Sequence, residues 1–179
     1  SHVVLALGHS ARDTFKALHD AGVYMEAKPF SVGFRIEHPQ SLIDKARLGP
    51  HAGNELIGAA DYKLVHHAKN GRAVYSFCMC PGGTVVAAAS EPNRVVTNGM
   101  SQYSRNERNA NAGLVVGIDP TDYPTDPAAF ESELGQELGN AVRHDTPHAM
   151  DTFHPLSGLV LQRQLEATAY TLGGSNYEA

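Results

Sequence analysis

Residues 77–83, FCMCPGG, hold both cysteines of the chain and end in a proline and two glycines. A thiol at the end of a strand, here Cys78 or Cys80, is nucleophilic or redox-active when its pKa is lowered. Glycines, here Gly82 and Gly83, let the backbone approach a ligand closely and turn N–H groups toward it. The competing interpretation is structural, because free cysteine is a common small core residue. A disulfide is not expected, because positions i and i+2 of a strand are near the limit of bridging geometry.

A second polar segment, TNGMS at residues 97–101, is followed by Arg105. Asn98, Ser101 and Arg105 at the junction of a strand and a loop are suited to orient a polar ligand. Asn98-Gly99 is also ordinary turn chemistry, and on the residues alone the turn is the better interpretation. The asparagine-rich residues 106–111 leave the same two alternatives open.

Gly8, His9 and Ser10 lie at a predicted turn between a strand and a helix. Such a turn aims the N–H groups of the helix N-terminus at a phosphate or at the edge of a cofactor. A hydrolase nucleophile elbow is disfavoured, because the second glycine of G-x-S-x-G is missing. The dinucleotide fingerprint G-x-G-x-x-G is absent from the sequence.

No metal site is predicted, although the chain has 10 histidines. His66 and His67 are adjacent in a predicted strand and therefore face opposite sides of it. His144 and His148 have helical spacing, but Pro147 argues against the helix that would make this spacing useful. The C-x-C pair is a poor match to the C-x-x-C spacing of zinc sites.

The composition excludes several classes of function. With 42% hydrophobic and 18% charged residues, the chain is expected to be globular rather than disordered. The formal charge of -5 and the absence of a Lys/Arg run argue against nucleic-acid binding. No apolar run approaches the ~20 residues that span a bilayer, and no signal peptide is recognised. Two cysteines favour a reduced, cytoplasmic location.

The elements that position these residues are predicted from periodicity and turn signals. Helices are expected at 11–20, capped by Ser10, at 39–48, near 128–143 and at 158–172. Strands are expected at 3–7, 23–27, 31–37, 62–67, 72–78, 84–89, 94–97 and 114–118, with a hairpin turn at Asn70-Gly71.

This order predicts an α+β fold, with a mostly antiparallel sheet and flanking helices, plus a βα stump of a doubly wound domain. The apolar run at 3–7 is typical of a parallel strand that is buried on both faces, yet the chain offers no parallel partner for it. We therefore expect a piece of a larger enzyme: a partial βα unit at 1–22, an inserted α+β domain at 23–155, and an exit helix at 156–179.

Five segments together resemble the uncharacterised FAD-dependent dehydrogenases of bacteria, which are two-domain flavoproteins of the glutathione-reductase-like set. The segments are VVLALGHSARDTF, FCMCPGGTVVAAASE, VVTNGMSQYSR, NAN and LVLQRQLEATAYTLGGSNYEA. The resemblance covers nearly the whole chain, with residues 119–153 the divergent part, and FCMCPGG and TNGMS are its specific motifs.

The resemblance implies FAD as the cofactor of the intact protein, with its glycine fingerprint upstream of residue 1, and NAD(P)H as a candidate electron donor. The inserted domain would be a substrate domain that closes over the isoalloxazine, and its partner would be the remainder of the FAD domain. The chain alone is expected to bind FAD weakly or not at all, since most pyrophosphate and adenosine contacts would be absent.

The residues and the resemblance together predict three groups of site residues. The predicted catalytic residues are Cys78, Cys80 and Arg105, the cofactor-binding residues are Gly8, His9, Ser10, Gly82 and Gly83, and the substrate-binding residues are Asn98, Gly99 and Ser101. Three functions fit: the substrate domain of an FAD-dependent oxidoreductase with an unknown small-molecule substrate, a non-catalytic ligand- or partner-binding module of a flavoprotein, and a thiol-redox enzyme that uses both cysteines.

Overall fold

A computed structural model describes residues 2–135 and 153–173 of the chain, which form helices and antiparallel strands. The helices are α1 (Arg12–Asp20), α2 (Gln40–Leu48), α3 (Pro127–Leu134) and α4 (Ser157–Gly173). The strands are β1 (Phe30–Pro39), β2 (Val65–His67), β3 (Ala73–Cys80), β4 (Gly83–Ala87), β5 (Thr97–Ser101) and β6 (Asn109–Ile118). The predicted α+β class is confirmed. None of the described helices is long and apolar enough to cross a membrane.

The described chain divides into two compact units. Residues 30–89 and 95–118 form the unit that contains all six strands, here called the sheet unit. Residues 2–29, 90–94, 119–135 and 153–173 form the helical unit. The predicted division at 1–22, 23–155 and 156–179 concerns the domains of a longer parent protein and stays a prediction.

The sheet unit contains a four-stranded antiparallel sheet in the order β1-β6-β3-β2 and a separate β4-β5 pair. β2 and β3 form the hairpin predicted at Asn70-Gly71, with Val65 opposite Tyr75. Gly71 has a φ of +84°, the left-handed conformation that such tight turns require. β6 lies between β1 and β3, and its residues 110–113 are buried.

The two faces of the four-stranded sheet differ in chemistry. β1 alternates Phe34 and Ile36 on one face with Arg35 and Glu37 on the other. We call these the apolar face and the polar face of the sheet. On the apolar face Phe34 lies opposite Leu114 of β6.

The helical unit has its own core, formed by Phe130, Leu134, Leu156 and Val160 of α3, α4 and the turn before α4. Helical spacing of apolar residues positions these side chains on the facing sides of the two helices. A histidine, His154, packs beside this core, with its ring centroid 4.9 Å from that of Phe130. Burial lowers the pKa of His154 to about 4.

Ion pairs connect the elements of the helical unit. Arg12 of α1 is buried and donates two hydrogen bonds to Glu166 of α4, at 2.8 and 2.5 Å. Arg163 of α4 likewise donates to both carboxylate oxygens of Glu91, at 3.2 and 2.8 Å. The hydrogen bond from Arg163 holds the pKa of Glu91 below its usual value. Such bidentate pairs specify geometry as well as adding stability.

Two predicted strands are absent from the structure. Residues 3–7 form no ladder with any described residue, and Val3 and Val4 are 86% and 88% exposed. Residues 23–27 also lack a ladder, and Met25 packs against the core of the helical unit instead. An apolar run in the sequence is not enough to form a strand, because a strand needs a neighbouring strand that supplies its hydrogen bonds. The βα unit predicted at the start is therefore seen only as its turn and helix.

Other boundaries differ from the prediction. The strand expected at 94–97 is β5 at Thr97–Ser101, so TNGMS is a strand rather than the predicted turn. α1 has Ala11 at its N-cap with no capping side chain, so the predicted cap by Ser10 is wrong. The helix expected near 128–143 ends at Leu134, where Gly135 has a φ of +84°. Residues 136–143 lie outside the described residues. Helices α2 and α4 agree with their predictions.

Candidate functional site

A β-bulge positions the two cysteines differently. The register between β3 and β6 shifts between Phe77 and Cys80, so that Cys80 lies opposite Asn111. Within the bulge, Cys78 has a φ of +47°, which is uncommon for a residue with a side chain, and is exposed. Cys80 is only partly exposed, and its thiol donates to the carbonyl of Cys78 over 3.4 Å. The bulge therefore presents one thiol to solvent and turns the other toward the sheet.

Three of the segments singled out in the sequence meet at Gly99. A Cβ placed on Gly99 would lie 2.8 Å from Cys80 Sγ, and closer still to Asn111 Oδ1 and Arg35 Nη1. Strand β5 can therefore approach the polar face of the sheet only because residue 99 is a glycine. FCMCPGG, TNGMS and NAN each contribute one residue to this cluster, and Arg35 of β1 completes it.

Arg35 is the functional candidate that sequence reasoning missed. Its Nη1 donates to Asn111 Oδ1 at 2.6 Å and to the carbonyl of Cys78 at 3.3 Å. It thereby connects β1 to both the central strand and the cysteine bulge. The signal in the sequence was a cation in an otherwise alternating strand, FSVGFRIEH, where it falls on the face opposite Phe34 and Ile36.

Asn111 is completely buried, at 0% exposure. Its Oδ1 accepts from Arg35, whereas its Nδ2 is buried with no hydrogen-bond partner among the described residues. Buried amides of this kind are normally satisfied, so an unpaired donor at this position marks a polar centre rather than ordinary core packing. The asparagine-rich segment is thus the start of a central strand, not a turn.

The turn at Pro81-Gly82-Gly83 is shaped by contacts within the chain. Gly82 has a φ of +46°, and its N–H donates to Gln40 Oε1 at 2.7 Å. A Cβ on Gly82 would overlap the main-chain oxygen of Arg105, and one on Gly83 would overlap that of Met100. Packing therefore accounts for both glycines, and their predicted cofactor-binding role stays a prediction.

Gln40 is a second residue that the sequence did not reveal. It is buried at the start of α2, and its Nε2 donates to Ala60 O at 2.9 Å and Asp44 Oδ1 at 2.7 Å. The amide therefore has partners at both ends, and it fixes the Gly82 turn relative to α2.

Of the predicted substrate-binding residues, Ser101 lines a cleft of about 820 Å³, whereas Asn98 and Gly99 do not. Its lining includes Ser101 and Arg105, together with Leu56, Ile57 and Tyr103. Arg105 has a φ of +50°, and its guanidinium makes no hydrogen bond or ion pair within the part of the chain that the structure describes. A free cation beside exposed apolar side chains suits a ligand that carries both an anionic and an apolar group.

Ser101 and Asn98 are already engaged. Ser101 Oγ donates to Pro81 O at 2.8 Å, which connects β5 to the glycine turn. Asn98 Oδ1 accepts from the N–H of Gly99 at 2.8 Å, and the side chain is exposed. Of the residues predicted to bind substrate or act in catalysis, Cys78, Asn98 and Arg105 are exposed, and of these three Arg105 lines the cleft.

Gly8, His9 and Ser10 lie in the helical unit and are exposed. Gly8 has a φ of +73°, and Ser10 Oγ lies 3.4 Å from His9 Nε2. The predicted turn is therefore present, and its role in cofactor binding stays a prediction. Among residues 2–135 and 153–173 no cluster of three or more His, Cys, Asp or Glu is placed to hold a metal. His144 and His148 lie outside these residues.

Comparison with known proteins gives the family. Residues 29–179 match the family described as "FAD-dependent protein, C-terminal domain-like". An uncharacterised protein of Clostridium beijerinckii is 44% identical over 178 residues, which is 99% of this chain and 28% of that protein. The chain thus spans a little over a quarter of the length of this relative. It belongs to the family of FAD-dependent proteins, as a domain of the C-terminal type.

Proposed function

We propose that the chain is the substrate-side domain of an FAD-dependent oxidoreductase, of the dehydrogenase type, in which the remainder of a longer polypeptide binds most of the FAD. The observation that carries this proposal is the family match over residues 29–179, which covers the whole sheet unit. The parent would be a two-domain protein, in line with the 28% share of the relative that the chain spans.

The described residues fit FAD only in part. A dinucleotide site needs free backbone N–H groups at a glycine-rich turn to bind the pyrophosphate. The N–H of Gly82 is already bonded to Gln40, and Gly83 is paired within the β4-β5 sheet. The sequence lacks G-x-G-x-x-G as well. These features support a chain that contacts the flavin edge at most and leaves the phosphates to the rest of the protein.

In this proposal, FAD supplies the hydride chemistry and the chain supplies binding and orientation. Arg105 pairs with an anionic group of the substrate in the cleft, while Leu56 and Tyr103 contact its apolar part. Arg35 and Asn111 hold β5 and the bulge in place and so orient the cleft wall. Cys78 and Cys80 are further candidates, with Cys78 the accessible thiol.

The test is made on the full-length protein. We expect a yellow, FAD-containing preparation whose flavin is reduced by a donor such as NADH or NADPH. Arg105→Ala should slow turnover of a carboxylate-bearing substrate about tenfold and leave the FAD content unchanged. Arg108→Ala is the matched control, because Arg108 is an exposed arginine three residues away that does not line the cleft. A colourless full-length protein would contradict the proposal.

A non-catalytic docking module is the second candidate. Leu56 and Tyr103 at the cleft are 96% and 106% exposed, which suits a protein partner as well as a small ligand. An FAD-containing protein whose rates ignore Cys78→Ser, Cys80→Ser and Arg105→Ala together would favour this function. Rapid alkylation of Cys78 with loss of activity would instead favour thiol-redox chemistry.

A further inference from the structure

A second concave site lies on the other side of the four-stranded sheet. It is a groove of about 300 Å³ between the apolar face and helix α2. Ile36, Leu64 and Leu114 form its floor, and Ile43 and Ala46 of α2 form one wall. Ligand sites in proteins begin at about this volume.

The groove differs from a closed core. Ile36 is 43% exposed and Leu64 is 58% exposed, and the neighbouring Phe34 on the same face is 87% exposed. Side chains of this type are normally removed from water, so a continuous exposed set marks a binding surface. All of these residues belong to the sheet unit.

The groove is almost wholly apolar, and Arg47 is the one arginine or lysine among the described residues that line it. Arg47, in the last turn of α2, lines it, and this guanidinium makes no hydrogen bond or ion pair with any residue in the described ranges. His38 and Tyr62 also line the groove and bond to each other, with Nε2 and the hydroxyl 2.8 Å apart. His38 Nδ1 is buried and has no hydrogen-bond partner among the described residues. The groove thus combines an apolar surface with one lining arginine whose guanidinium has no partner among the described residues.

We propose that this groove binds a small amphipathic carboxylic acid, with its apolar chain on Ile36, Leu114 and Ala46 and its carboxylate against Arg47. The volume of 300 Å³ corresponds to about ten groups the size of a water molecule, at ~30 Å³ each. Octanoate, with eight carbons and two oxygens, is a ligand of this size. The charge of Arg47 selects an anion over an alcohol or an amine.

This site is separate from the cleft at Arg105 and does not depend on flavin. Its floor comes from the face of the sheet opposite Arg35, and the two sites have no lining residue in common. Failure of the groove proposal would therefore leave the oxidoreductase proposal unaffected, and the reverse holds as well.

The experiment is a calorimetric titration of the purified protein with octanoate and with octan-1-ol. We expect octanoate to bind about tenfold more tightly than octan-1-ol, and Arg47→Gln to remove this difference. Lys45→Gln is the matched control, because Lys45 is the other basic residue in the last turn of α2 but does not line the groove. It should leave both affinities unchanged.

Filling the groove gives an independent check. Ala46→Phe should abolish binding of both ligands, while circular dichroism and the melting temperature show that the fold is retained. If that variant proves unfolded, Ala46→Met serves the same purpose with a smaller side chain. The proposal is overturned if wild-type protein fails to bind octanoate at millimolar concentration, if binding survives the filled groove, or if the only effect of filling it is a change in oligomeric state.

Discussion

A single added methyl group at Gly82 tests whether packing within the chain requires a glycine in the Pro81-Gly82-Gly83 turn. In Gly82→Ala the new Cβ would overlap the main-chain oxygen of Arg105 and lie 2.9 Å from the main-chain nitrogen of Asn106. Gly82 also has a φ of +46°, which an L residue rarely adopts. Gly71→Ala is the matched control, because Gly71 has a φ of +84° but open space where the Cβ would lie.

The expected magnitudes follow from these contacts. A left-handed backbone costs a non-glycine residue about 1–2 kcal/mol, and the stiffer unfolded chain offsets about 0.4–1 kcal/mol of this. The backbone cost and its offset apply to both variants. Gly71→Ala, which has no further cost, should therefore lower the free energy of unfolding by about 1 kcal/mol. Gly82→Ala must also move the turn, which opens the 2.7 Å hydrogen bond to the buried Gln40. An unmade buried hydrogen bond adds about 1–3 kcal/mol, giving a loss of about 2–4 kcal/mol.

Equilibrium urea denaturation of wild type and both variants measures these losses, provided that the denaturant slope stays constant. Flavin binding and activity need not be known for this assay. Losses that agree within about 0.5 kcal/mol would refute the packing argument, and the glycines would then have to be explained by a ligand.

Two further predictions concern buried polar groups. Arg35→Met should lower the free energy of unfolding in urea by about 2 kcal/mol, because Asn111 Oδ1 loses its donor inside the core. The control is Arg72→Met, because Arg72 donates an exposed 2.9 Å hydrogen bond to Gly117 O. This variant should lower the free energy of unfolding by about half as much or less. Equal decreases in the free energy of unfolding would show that the hydrogen bond of Arg35 to Asn111 stabilises the fold no more than an exposed one does. For His154 the pKa in the folded chain, about 4, lies below the unfolded value near 6.5, so protonation opposes folding. The contribution of the neutral His154 to the free energy of unfolding is intact above pH 6.5 and is lost as the pH falls through 4. The loss is on the order of 1–3 kcal/mol after allowing for the partial exposure of the side chain. Urea titrations from pH 7 to pH 4 should show this decline, and His154→Gln, but not the exposed His66→Gln, should flatten it.

The predictable part of the fold was the part set by local chemistry. Asn70-Gly71 fixes a hairpin turn by itself, and helices α2 and α4 lie where the sequence predicts them. The residues at 3–7 and 23–27 have strand-like composition, but a strand depends on a partner that a local pattern does not contain. Helices, whose hydrogen bonds are internal, are read from sequence more reliably than strands for this reason.

The candidate site also has a part that the sequence predicts and a part that only the structure identifies. The segments FCMCPGG, TNGMS and NAN stood out in the sequence, and the sheet unit brings them together at Gly99. The residues that hold them there, Arg35 and Gln40, come from β1 and α2 and have ordinary neighbours in the sequence. A bond between residues 35 and 111 depends on register, and register depends on long-range pairing of β1 with β6.

This arrangement decides which variants can identify a chemical role. Cys80, Gly99 and Asn111 are packed together, so a loss of activity on changing any of them has a structural explanation first. Arg105 is different, because its side chain lies in the cleft without a partner among the described residues, although its main chain packs on Gly82. Arg105→Ala should therefore leave the free energy of unfolding within about 0.5 kcal/mol of wild type, as for other surface changes. If activity falls at constant stability, the residue acts on the ligand; if stability falls as well, Arg105 belongs to the same packed cluster and the assignment of the cleft is wrong.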